Sequence, residues 1–67
     1  MLTPEERAVL AEVRRSDAEE GGLYWETLEE MEGAADALRR LVVLGLVEDR
    51  GDHVRITAAG VDALRYD

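Results

Sequence analysis

No cysteine and no lysine occur in this 67-residue chain, and it holds one proline, one serine and one histidine. Without cysteine there is no disulfide to brace the fold, no thiolate metal site and no thiol nucleophile. One serine and one histidine do not assemble a nucleophile with its base, and no glycine-rich phosphate loop is present, so neither catalysis nor a bound cofactor is expected. No stretch reaches the roughly 20 apolar residues of a membrane span. Near the start stand Glu5 and Glu6 rather than a basic segment followed by an apolar run, so no export signal is read and a cytoplasmic protein away from membranes is expected. The length suits one domain, residues 1–67, with a small core, because a domain of about 60 residues buries only about 60% of the surface its unfolded chain exposes.

What the chain has in excess is acid. Sixteen Asp and Glu face eight arginines, for a formal net charge of −8. Residues 1–36 hold 11 carboxylates and 3 arginines, whereas residues 37–67 hold 5 of each. Between Ala37 and Ile56 the balance turns slightly positive, with Arg39, Arg40, Arg50 and Arg55 against Glu48, Asp49 and Asp52. Contact with phosphate is therefore open to the second half of the chain. Dense carboxylates with arginine in place of lysine resemble the proteins of extreme halophiles, where molar salt screens the mutual repulsion. A docking surface for a basic partner is the alternative account of the same charge.

The local patterns follow one another with little slack. Thr3, Pro4 and Glu6 have the form of a capping box with proline at the first helical position, so a helix is expected from Pro4 to about Ser16. Val9, Leu10 and Val13 form its apolar stripe. The acidic, glycine-bearing stretch 17–22 reads as a flexible turn. Leu23, Tyr24, Trp25, Leu28 and Met31 then supply the apolar side of a second, short helix, and Glu26, Glu29, Glu30 and Glu32 its solvated side. Glu32-Gly33 breaks that helix. A third follows from Ala34 to Leu44, with Leu38 and Leu41 facing inward and Gly45 able to take the left-handed conformation that ends a helix.

Beyond Gly45, Val47 to Arg50 and His53 to Ile56 read as two strands turning at Gly51-Asp52, and Thr57 caps a last helix in which Val61 and Leu64 pack on the first. Tyr66 is expected to add an apolar ring with a wet hydroxyl. The expected fold is α+β: three helices, a two-stranded hairpin and a C-terminal helix. Arg50-Gly51-Asp52 is taken as this turn and not as an adhesion tripeptide. His53, beside Asp49 and Asp52, has too few fixed ligands around it for a metal site.

Leucine, two basic residues and leucine at 38–41, Gly-Leu-Val at 45–47, a short hairpin, and Ile56-Thr57-x-x-Gly60 opening a final helix together resemble the winged helix-turn-helix domains of transcriptional regulators. The likeness is to the MarR and PadR groups and to small archaeal repressor-like proteins, and it covers nearly the whole chain. It implies double-stranded DNA as the partner, with residues 34–44 as recognition helix and the hairpin 47–56 as wing. Ala34 and Ala35 would then meet thymine methyls and Asp36 a cytosine amino group, while Arg39 and Arg40 would reach phosphate or a base edge. Arg50, His53 and Arg55 would lie along the wing, at phosphates or the minor groove.

One departure from that pattern opens a second reading. The place before the Gly-Leu pair, usually charged in the family, is the apolar run Val42-Val43-Leu44. Three consecutive residues cannot all face one core on a helix, so Val43 is expected to be exposed, with Val42 and Val43 offering a surface to a second copy or a protein partner. The alternative to DNA is thus a protein-interaction module that docks through this patch or through the acidic face from Glu26 to Asp36. A spatially continuous stripe of the four arginines would favour DNA. Carboxylates of Glu32 and Asp36 beside them would favour the rival.

Overall fold

A computed structural model describes residues 2–28 and 33–66, the last without its side chain. The expected Met31 contact, the acids Glu29, Glu30 and Glu32, and the Tyr66 ring lie outside the described residues. The elements are α1 (Pro4–Glu20), β1 (Leu23–Tyr24), α2 (Trp25–Leu28), α3 (Ala34–Val43), β2 (Val47–Asp49), β3 (His53–Ile56) and α4 (Ala58–Tyr66). Among the described residues, four helices and a three-stranded antiparallel sheet of order β1-β3-β2 make the domain α+β. Among the described residues no helix is long and apolar enough to cross a membrane.

α1 begins as its capping box dictates. The Glu6 backbone N–H donates to Thr3 Oγ1 at 3.1 Å, and the Thr3 N–H donates to Glu6 Oε1 at 3.0 Å. The helix runs one turn past the expected end at Ser16, so Asp17 to Glu20 are helical and not a turn. Two local causes account for the extra turn: Arg15 pairs with both Glu12 and Glu19, and Gly21, at φ 82°, closes the helix by donating to the Asp17 carbonyl. Ser16 continues the buried stripe of Val9, Leu10 and Val13.

The expected hairpin is present as β2–β3, but the sheet holds a third strand that the expected fold lacked. Leu23 and Tyr24 are extended rather than helical, pairing with Val54 and His53 of β3. The pairing buries Leu23 beside Val54, a gain that helix at this point would forfeit. α2 starts at Trp25, whose N–H donates to the Asp52 carbonyl and so ties the hairpin turn to the helix.

α3 closes one residue earlier than expected, with Leu44 as cap. Its end is a Schellman motif: the Gly45 N–H donates to the Val42 carbonyl and the Leu46 N–H to that of Leu41, with Gly45 at φ 77° and Leu46 returning to the core. β2 pairs with β3 in the register Val47↔Ile56, Glu48↔Arg55 and Asp49↔Val54, which leaves Arg50 in the turn. Asp49 Oδ1 accepts from the Gly51 N–H at 2.9 Å and shapes that turn.

Thr57 joins the end of α3 to the start of α4. Its hydroxyl donates to the Gly45 carbonyl at 2.8 Å and accepts from the Gly60 N–H at 3.1 Å. Thr57→Ala removes both bonds and is expected to cost about 1–2 kcal/mol, read as a lower urea midpoint at unchanged slope. One core, built from Val9, Leu10, Val13, Leu23, Leu28, Leu38, Leu41, Val47 and Val54 with Ala34 and Ala37, lies between α1, α3 and the inner face of the sheet. Leu64 and Ala63 of α4 pack at its edge, as the spacing of α4 predicts for Leu64.

Candidate nucleic-acid interface

α3 buries Ala34, Ala37, Leu38 and Leu41 and turns Asp36, Arg39, Arg40 and Val43 outward. Ala34 is only 2% exposed, so the outward start of the helix reduces to Ala35 and Asp36, and the expected contact of Ala34 with a thymine methyl has no surface to make it. Val43 is 85% exposed, the solvent-facing member of the apolar run, whereas Val42 is half-buried against the core.

Arg39 and Val43 form a ridge between two shallow grooves. On one side the groove is shared with the hairpin, being lined by Trp25, Val42, Asp49 and Gly51. On the other it is shared with the start of α1, at Thr3, Glu5 and Glu6, with Arg40 and Leu44 along it. The outer surface of α3 and the hairpin turn therefore bound the first of these grooves, with Trp25 among its lining residues.

The arginines divide between two surfaces. Arg39 and Arg40 belong to α3. Arg55 stands on the other face of the sheet, opposite Glu48 and on the same side as His53 and Tyr24, whose rings lie 5.5 Å apart. Arg50 reaches back from the turn toward Glu48 on that same face. The four do not form a single stripe, because alternation along β3 sends Arg55 away from the side on which Val54 and Ile56 meet the core.

Each of these arginines also has a carboxylate of the same chain beside it. Arg39 Nη1 lies 3.2 Å from Asp36 Oδ1, Arg40 Nε 3.0 Å from Glu6 Oε2, Arg50 Nε 3.1 Å from Glu48 Oε1, and Arg55 Nε 2.8 Å from Asp17 Oδ1. The hydrogen bond to Asp17 raises the Arg55 pKa above the usual arginine range, with the attraction of Asp17 and then Glu48 adding to it. Asp52 is held below the usual carboxylate range by its hydrogen bond with His53 at 2.6 Å. The surface is thus cationic in residue type and close to neutral in charge. Glu6 and Asp17 lie 34 and 38 positions from the arginines they meet, and neither was legible as part of the site. Only the capping-box role of Glu6 carries a sequence signal.

Set against protein-family models, characterised proteins and solved structures, the chain gives no significant match to any of them.

Proposed function

We propose that this domain is a winged-helix DNA-binding module of a transcriptional regulator, with α3 as the recognition helix and the β2–β3 hairpin as the wing. The observation that carries the reading is the groove between α3 and the hairpin turn, which Arg39 and Val43 line together with Asp49 and Gly51, while Asp36 and Arg40 face solvent on the α1 side of the same helix. A helix offered beside a hairpin suits a major groove with its flanking backbone. The order of elements, with a short strand before α2 that closes the sheet next to β3, supports the same reading.

The paired charges set the expected mode of binding. Direct base readout is thin at Ala35 and Asp36, so affinity rests on phosphate contacts by Arg39 and Arg40. Fluorescence anisotropy against a mixed-sequence duplex tests this. Arg39→Ala is expected to weaken binding several-fold and to reduce the salt slope by about 1, and Arg40→Ala to weaken it several-fold with little change in slope. Absence of binding up to about 10⁻⁴ M, the weak end of ordinary non-specific affinity, overturns the reading.

A second reading, docking of a protein on the outer face of α3, is favoured by the division of the four arginines between two surfaces, against the single stripe expected of a DNA reader, and by the surroundings of Arg39. Asp36 stands beside Arg39, and Val43 and Leu44 present apolar surface where a DNA reader carries donors. Under that reading Arg40→Ala leaves partner binding intact and Val43→Asp abolishes it.

A further inference from the structure

We infer that Glu6 is a positioning residue for Arg40: a fixed counter-anion, built into the start of α1, that holds the guanidinium in place and cancels its charge toward a phosphate. The inference rests on the DNA reading above and names how one contact of that interface is regulated. Glu6 divides its two carboxylate oxygens between separate tasks. Oε1 accepts the Thr3 N–H of the capping box, and Oε2 lies 3.0 Å from Arg40 Nε.

The pair is asymmetric. The Glu6 side chain is 10% exposed and pinned by the helix cap, whereas that of Arg40 is 71% exposed and long. Glu6 cannot follow the arginine outward, and losing it would leave a shielded carboxylate without its counter-charge. Arg40 therefore keeps Glu6 at Nε and turns its remaining N–H donors to a ligand, since a guanidinium carries five. A phosphate there meets well-placed donors with little net charge behind them. Because counterion release follows the net charge brought to the backbone, this contact adds little to the salt dependence of binding.

The capping box supplies the control, since it accepts Gln as well as Glu at this position. Glu6→Gln keeps its one amide oxygen for the Thr3 N–H and turns its NH2 group toward Arg40, so the capping bond is preserved while the charge and the acceptor facing Arg40 are both removed. Its melting temperature is expected to match the parent, while Glu6→Ala melts about 4–8 °C lower. At 50 mM monovalent salt Glu6→Gln is expected to bind duplex DNA about tenfold more tightly, with a log K against log salt slope steeper by about 0.9. Adding Arg40→Ala to Glu6→Gln is expected to erase that gain. A gain that survives loss of Arg40, or an unchanged slope, overturns the inference.

A second titration separates this failure from failure of the DNA reading. Inorganic pyrophosphate, followed at the Arg40 Nε–H resonance, is expected to shift that signal in Glu6→Gln at concentrations about tenfold lower than in the parent, the same gain as on the duplex. Equal response in both proteins overturns the role of Glu6 whatever the duplex does. The expected response to pyrophosphate with no duplex binding by either protein supports Glu6 as the partner that sets Arg40's charge and overturns the DNA reading alone.

Discussion

Leu41→Ala is expected to destabilise the domain by about 2–5 kcal/mol. Val43→Ala, two residues further along the same helix, is expected to change stability by less than about 0.5 kcal/mol. The two side chains are of one chemical kind, and their environments are opposite. Leu41 has no exposed surface and belongs to the core cluster with Leu10, Val13 and Leu38, while Val43 is 85% exposed. Truncating Leu41 removes the transfer energy of the lost methyl groups and leaves a cavity in the core beneath α3. Total stability for a chain of this length is about 3–10 kcal/mol, so one such cavity consumes a large share of it. Urea titrations followed by far-UV circular dichroism measure both variants, with the midpoint of Leu41→Ala falling well below that of Val43→Ala. Equal midpoints contradict the rotation of α3 described here, and with it the outward placement of Arg39 and Arg40.

Much of the fold was legible because it is set by local chemistry. Thr3, Pro4 and Glu6 specify the start of α1 within one turn of chain, Gly45 its counterpart at the end of α3, and Thr57 the start of α4. Each acts through backbone groups within four residues of itself, apart from the bond of Thr57 to Gly45, which no local pattern reveals. β1 was missed for the complementary reason. Two residues carry no periodicity, and Leu23-Tyr24 becomes a strand only because β3, 29 to 31 positions away, offers it an unpaired edge. The last turn of α1 was missed because an acidic stretch at a helix C-terminus opposes the helix dipole, a disfavour that Arg15 and Gly21 outweigh.

The candidate site was legible in its residue types and not in its electrostatics. Arg39 and Arg40 on the outer face of α3 follow from the inward positions of Leu38 and Leu41, since on a helix the two positions between buried residues spaced three apart point away from the face they share. The separation of Arg55 from them follows from strand alternation, once Val54 is known to face the core. The carboxylates that neutralise Arg40 and Arg55 come from α1, and only the packing of α1 across α3 and β3 brings them there. Net charge by segment overstated how cationic the second half of the chain is, because the acid of the first half folds onto it.

Gly60→Ala is expected to destabilise the domain by about 1–3 kcal/mol, against the direction that helix propensity alone dictates. Within a helix, alanine is favoured over glycine by about 1 kcal/mol. At Gly60 the packing reverses that sign. A Cβ there would be driven into the carbonyl oxygen of Leu46 and would stand 2.7 Å from Ile56 Cγ1. The Leu46 carbonyl cannot yield freely, because it accepts the Thr57 N–H at 3.1 Å, and the Leu46 N–H is the closing bond of α3. Glycine thus allows α4 to approach the corner where α3 gives way to β2, and the Ile-Thr-x-x-Gly pattern has its physical reason in that approach. Thermal melting of Gly60→Ala beside Ala59→Gly, an exposed position on the same helix, gives the comparison. Both are expected to melt lower, the first from collision and the second from propensity, and only Gly60→Ala is expected to shift the amide resonances of Gly45, Leu46 and Val47. A Gly60→Ala protein more stable than the parent would mean that α4 stands further from this corner, leaving the angle between α3 and the hairpin to be set by α1 and the sheet alone.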